Sequence, residues 1–81
     1  MDHNKAFGLV IRESRDRLGL SQEGLAFLVS LDRSYISLLE RGKRSASLNT
    51  IVVLAHAFDL TPSELVRQHE AYTEPKKKKK S

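Results

Sequence analysis

An all-α fold of five helices is predicted by three observations. Apolar residues recur at helical spacing in five successive segments, capping residues stand at the start of most of them, and no segment alternates with the period of a strand. Helix one is expected over Lys5 to Leu18, with Phe7, Val10, Ile11 and Leu18 on one face and Gly19 as its stop. Helix two follows Ser21, a plausible N-cap, and Gln22 to Val29 places Leu25, Ala26 and Val29 together. Asp32 is expected to cap helix three, Arg33 to Arg41, in which Ile36 and Leu39 face inward while Arg33, Ser34 and Ser37 face outward; Gly42 ends it. Ser47 can cap helix four, Leu48 to Phe58, whose buried stripe is expected to be Leu48, Ile51, Leu54, Ala55 and Phe58. Helix five opens with a capping box, Thr61-Pro62-Ser63-Glu64, with proline at the first helical position, and runs through Leu65 and Val66 as far as Tyr72.

The segment from Ser21 to Arg44 carries the most information. Two short amphipathic helices meet at a short joint, and the second ends in a basic cluster, which is the pattern of a helix-turn-helix. In that geometry the polar face of the second helix can enter a DNA major groove.

The chain has 81 residues, a length at which one core is only marginally stable and oligomerisation is a natural supplement. Absence of cysteine excludes disulfides and thiolate metal sites and agrees with a reducing compartment, so a cytoplasmic location is expected. The longest apolar run, Ile51 to Ala55, is far too short to cross a bilayer, and no signal-peptide order stands at the N-terminus. The formal charge of +4 divides unevenly. Lys76 to Lys80 are all cationic, whereas residues 1–75 hold nine basic and ten acidic side chains. Arg33, Arg41, Lys43 and Arg44 nevertheless outnumber Asp32 and Glu40 around helix three, and local charge is what meets phosphate. Two parts are expected: a domain over residues 1–72 and a lysine-rich tail over residues 73–81, disordered in isolation.

Gly19 to Leu65 resembles the lambda-repressor and Cro-like (xenobiotic response element type) helix-turn-helix family. The resemblance rests on Gly19-Leu20-Ser21-Gln22-Glu23, Leu25-Ala26, Ser34-Tyr35-Ile36-Ser37, Glu40-Arg41-Gly42 with Arg44, and Leu48 through Leu65. Within the family, the joint Leu31-Asp32-Arg33-Ser34-Tyr35 and the lack of a second domain look most like restriction–modification controller proteins. The resemblance implies a five-helix DNA-binding domain and a transcriptional regulator that binds a double-stranded operator. It implies base contacts from Arg33, Ser34, Ser37 and Leu38. Phosphate contacts are implied for Ser21, Gln22, Tyr35, Arg41, Lys43 and Arg44. It also implies an ion pair of Arg15 with Glu40 between helices one and three. Chemistry agrees: a guanidinium can fork onto guanine O6 and N7, hydroxyls bond base edges or phosphate, and a leucine can touch a thymine methyl.

Val52, Val53, Val66, His69 and Tyr72 lie off or beyond the main apolar stripe, so a homodimer through helices four and five is expected, reading a pseudo-palindrome. Three departures from the family pattern stand out. Ser30 occupies a turn position usually held by glycine, Ala46 replaces a common proline, and Phe27, Leu28 and Val53 replace charged residues. The last three give an alternative function, an antitoxin or adaptor that holds a protein partner on the same fold. Enzymatic function is not expected: Gly42-Lys43 lacks the rest of a phosphate loop, and no nucleophile elbow or carboxylate pair is present. His3, His56 and His69 show no ligand spacing, so no metal is expected; the lysine tail comes without an acyl site or a basic amphipathic helix, so no membrane partner is expected, and neither is a cofactor or small-molecule ligand.

Overall fold

Residues 1–73 are described by the computed structural model, and within them five helices run in order: α1 (His3–Arg17), α2 (Gln22–Val29), α3 (Arg33–Glu40), α4 (Leu48–Ala57) and α5 (Pro62–Thr73). Strands are absent among the described residues. Lys76 to Lys80 lie outside them. Thr73, expected to open the tail, instead closes α5, its hydroxyl 3.4 Å from the His69 carbonyl.

Side-chain caps set most helix starts. Ser21 accepts from Gly24 N–H at 2.9 Å and Ser47 from Thr50 N–H at 3.1 Å. Thr61 N–H donates to Glu64 Oε1 at 2.8 Å and Glu64 N–H to Thr61 Oγ1 at 3.1 Å; the Thr61 N–H first, and the Thr61 hydroxyl after it, hold the Glu64 carboxyl below its ordinary pKa. Two details differ from expectation here. Helix one begins two residues early, at His3, because Asp2 caps it by accepting from Lys5 N–H at 2.8 Å. Asp32 stands at the N-cap position of α3 as expected, but its side chain makes no cap bond.

The helix ends share one device. Gly19, Ser30, Gly42 and Asp59 all take positive φ, and around each the chain closes a six-residue and, inside it, a four-residue loop of backbone bonds, the Schellman arrangement. For α2 these are Leu31 N–H to Ala26 O, 3.0 Å, and Ser30 N–H to Phe27 O, 3.4 Å; for α3, Lys43 N–H to Leu38 O, 2.9 Å, and Gly42 N–H to Leu39 O, 3.1 Å. In three of the four a leucine follows the left-handed residue (Leu20, Leu31, Leu60) and packs against the core before the next cap. The tripeptides Gly19-Leu20-Ser21, Ser30-Leu31-Asp32 and Asp59-Leu60-Thr61 are thus three copies of one connection. Ser30 sits at φ 58°, where a Cβ costs about 1 kcal/mol. Ser30→Gly is therefore expected to raise stability by about 0.5–1 kcal/mol, read as a higher urea midpoint at unchanged slope.

The core is built from Ala6, Val10 and Ile11 of α1, Leu25 and Ala26 of α2, Ile36 and Leu39 of α3, Leu54, Ala55 and Phe58 around α4, and Leu65 of α5. Helix α1 packs on α3 and α5, α2 on α3 and α4, and α4 on α5. Two residues expected inside are outside: Leu18 is 50% exposed and Leu48 73%. Leu18 is the C-cap of α1, so helical periodicity no longer aims it inward. Leu48 opens α4, and period alone does not tell where along a helix its neighbours begin; Thr50 is buried there instead.

Gly8 fixes the crossing of α1 and α3. A Cβ there would collide with the Leu39 carbonyl and lie 2.6 Å from the Glu40 carbonyl oxygen, so only glycine lets the two backbones approach this closely. That crossing brings Arg15, two turns further along α1, within reach of the Glu40 side chain.

Candidate nucleic-acid interface

The Schellman turn at Ser30 joins α2 to α3 and places the N-terminus of each at one open depression, lined by Arg15, Ser21, Gln22, Glu23 and Arg33. The backbone N–H groups that a cap leaves free at a helix start, with the positive end of its dipole, favour an anion at such a place.

A chain of side-chain bonds runs through this depression. Arg15 Nε donates to Glu40 Oε2 at 2.7 Å and Arg15 Nη2 to Glu40 Oε1 at 3.1 Å, a bidentate fork, while Arg15 Nη1 donates to the Leu20 carbonyl at 2.8 Å. One guanidinium thereby ties α1, the α1–α2 link and α3. Its side chain is 13% exposed and that of Glu40 5%. The Arg15 guanidinium is held above its ordinary pKa, first by the hydrogen bonds that Glu40 accepts; burial opposes this, and the charges of Glu40 and Asp16 add to it.

Glu40 Oε1 also accepts from Gln22 Nε2 at 3.0 Å, and Gln22 Oε1 in turn accepts from Arg33 Nη1 at 3.4 Å. The buried ion pair therefore reaches Arg33 through one amide, whose orientation the two bonds fix. Sequence reasoning treats Gln22 as a phosphate partner and gives no signal for this relay, since residues 22, 33 and 40 stand on different elements. The Leu20 carbonyl is missed for a plainer reason: a backbone acceptor leaves no mark in the sequence.

The remaining candidates divide by exposure. Arg33 and Ser34 are exposed at the leading end of α3, with Ser37 and Leu38 half-buried along the same helix. Ser21 spends an oxygen lone pair on its cap and keeps its O–H free to donate. Arg41, Lys43 and Arg44 are exposed around the turn at Gly42, where a Cβ would lie 2.8 Å from Lys5 Cα, so the basic loop rests directly on the first turn of α1. Tyr35 is half-buried on α3. Its ring packs against the core and its hydroxyl lies 3.4 Å from Thr50 Oγ1.

Residues considered for an interface separate into two places. Val53 lines a groove between α2 and α4 with Leu28, Val29, Ser30, His56 and Ala57; Phe27 is 85% and Leu28 57% exposed beside it. Val66, His69 and Tyr72 instead turn toward α1. Val66 and His69 line a recess with Phe7, and the Tyr72 hydroxyl donates to the Glu13 carboxylate at 2.7 Å, which raises the phenol above its ordinary pKa. Val52 is half-buried on α4. No helix is long and apolar enough to cross a membrane, and no group of three or more potential metal ligands occurs, among the described residues.

Comparison with known proteins gives a consistent set. Residues 11–65 match the model of a helix-turn-helix family. The control protein C.BamHI of Bacillus amyloliquefaciens is 41% identical over 61 residues, covering 74% of this chain and 75% of that protein. The control protein C.SmaI of Serratia marcescens is 38% identical over 69 residues, covering 84% and 82%. The crystal structure of the restriction–modification controller protein C.AhdI from Aeromonas hydrophila superposes with a TM-score of 0.72 at 54% identity, over 75% of this chain and 92% of that one.

Proposed function

The chain belongs to the helix-turn-helix family, among DNA-binding regulators of the restriction–modification controller type, and from that premise we propose that it binds a pseudo-palindromic operator as a homodimer. The observation that carries this reading is the relay from Arg15 through Glu40 and Gln22 to Arg33, which holds an exposed guanidinium at the leading end of α3. Preorganising a long cation spares the entropy of ordering it on the duplex. Arg33 then reads a guanine edge, Ser34 and Ser37 bond neighbouring edges, and Leu38 meets a thymine methyl. Ser21, Gln22, Arg41, Lys43 and Arg44 hold phosphates on either side, and these contacts position the domain without reading sequence. Tyr35 supports α3 from behind.

Val52 and Val53 on α4 lie at the centre of the two-fold contact, with α5 braced against α1 by Val66, His69 and Tyr72. A two-fold axis would set the two α3 helices about 34 Å apart, one turn of DNA. A protein of this kind acts in the cytoplasm, where its operator is, and performs no catalysis. Sedimentation equilibrium at micromolar concentration, with and without operator duplex, is expected to give a dimer at least in the bound state, and Val53→Asp is expected to shift the free protein toward monomer and weaken operator binding. A wild-type chain that stays monomeric in both states contradicts the homodimer.

The exposed Phe27 and Leu28 beside Val53 favour a second reading, an adaptor or antitoxin that uses this groove for a protein partner. A mobility-shift titration against competitor DNA separates the two, because a protein-only module shows no preference among duplexes.

A further inference from the structure

At the junction of α1 and α5, two histidines 66 residues apart in sequence stand ring to ring. His3 Nδ1 lies 3.0 Å from His69 Nε2, with ring centroids 5.2 Å apart. His69 Nδ1 is 2.7 Å from the Val66 carbonyl oxygen. A carbonyl only accepts, so Nδ1 carries the His69 proton and Nε2 presents a lone pair toward His3. In the metal-free chain His3 Nδ1–H donates into that lone pair.

We propose that His3 and His69 form a binding site for a divalent transition-metal ion, which clips the first turn of α1 to α5. An imidazole whose outer N–H is held by a backbone carbonyl is oriented as metal-ligating histidines are, with its tautomer already set. Two nitrogens bonded to zinc at about 2.0–2.1 Å with a tetrahedral angle stand about 3.3 Å apart. The observed 3.0 Å therefore needs an opening of only a few tenths of an ångström, which the exposed His3 ring supplies by a small rotation, while its proton passes through solvent from Nδ1 to Nε2 and frees the Nδ1 lone pair for the ion. The rings border a recess of about 160 Å³ that Phe7, Ile51 and Val66 make apolar on one side. Asn4 and Ser45, bonded to each other at 3.1 Å, border it with neutral oxygens. Among the described residues no carboxylate borders the recess. A neutral donor set of two imidazoles with water suits zinc, nickel or copper(II) and not magnesium or calcium. The site does not depend on the DNA-binding reading, and the spacing of the histidines along the chain gives no hint of it.

The probe is Zn²⁺ alone, added to the full chain. One ion per chain is expected to bind, shifting the ring ¹⁵N resonances of His69 Nε2 and His3 Nδ1 while those of His56 stay in place. The melting temperature should rise by several degrees, because an ion that binds only the folded chain stabilises it. His69→Ala and His3→Ala are each expected to abolish that rise, and His56→Ala, on an exposed residue of the α2–α4 groove, to keep it. Should either variant fold poorly, the wild-type ring resonances still decide. Unmoved His69 resonances at millimolar Zn²⁺, binding that survives His69→Ala, or one ion shared between two chains would each overturn the site.

Discussion

Replacing Glu40 with alanine is expected to destabilise the domain by about 3–5 kcal/mol, the usual loss when one partner of a buried ion pair is removed. The reason lies in what remains. Arg15, 13% exposed, would keep its charge with only the Leu20 carbonyl and the partly solvated Asp16 beside it, and Gln22 would lose its acceptor. Domains are stable by about 5–15 kcal/mol in all, and a chain this short lies toward the lower end, so the variant should be near unfolding at room temperature. Glu40→Gln keeps an acceptor oxygen without the charge and should lose less. Urea unfolding of the three proteins tests the ordering. A loss below about 1 kcal/mol for the alanine variant would place the pair among surface ion pairs and remove its role as the anchor of α3.

Arg33→Ala is expected to reduce operator affinity by about 1–3 kcal/mol per half-site, hence about 2–6 kcal/mol for a two-fold complex, with preference relaxed at one base pair in each half. Binding to random duplex should change little. Arg41→Ala, at the far end of α3, is expected to behave differently: all sequences weaken by similar factors, and the magnitude of the salt slope falls by about one unit per monomer. Competition mobility shifts at several salt concentrations distinguish the two, once both variants show an unchanged melting temperature. Equal losses on operator and random duplex for Arg33→Ala would remove it as a base reader and shift the register of α3 on the groove.

The contrast between these residues and the relay shows what a sequence carries. The helices were legible because their information is local: Ser21, Ser47 and the Thr61–Glu64 box act on backbone groups three residues away, and Ile36 and Leu39 share a face by helical period alone. Leu18 and Leu48 carry the same period yet lie outside, since one is the C-cap of α1 and the other opens α4, and period alone does not tell which turn a neighbour covers. Within the candidate interface, the exposure of Arg33 and Ser34 at the start of α3 follows from amphipathicity, and the Arg15–Glu40 contact was suggested only by family resemblance. The tie of Gln22 to both Glu40 and Arg33, the turning of Tyr35 toward Thr50, and the meeting of His3 with His69 each join residues that no short-range rule relates.

The central claim, that α3 of a two-fold dimer reads a specific duplex, is tested most directly by selecting bound sequences from a pool of random double-stranded DNA with the wild-type chain. Successive rounds are expected to enrich an inverted repeat whose half-site centres lie about one helical turn apart, with a guanine at the position that Arg33→Ala later relaxes. Recovery of no motif from a folded, dimeric protein would contradict it.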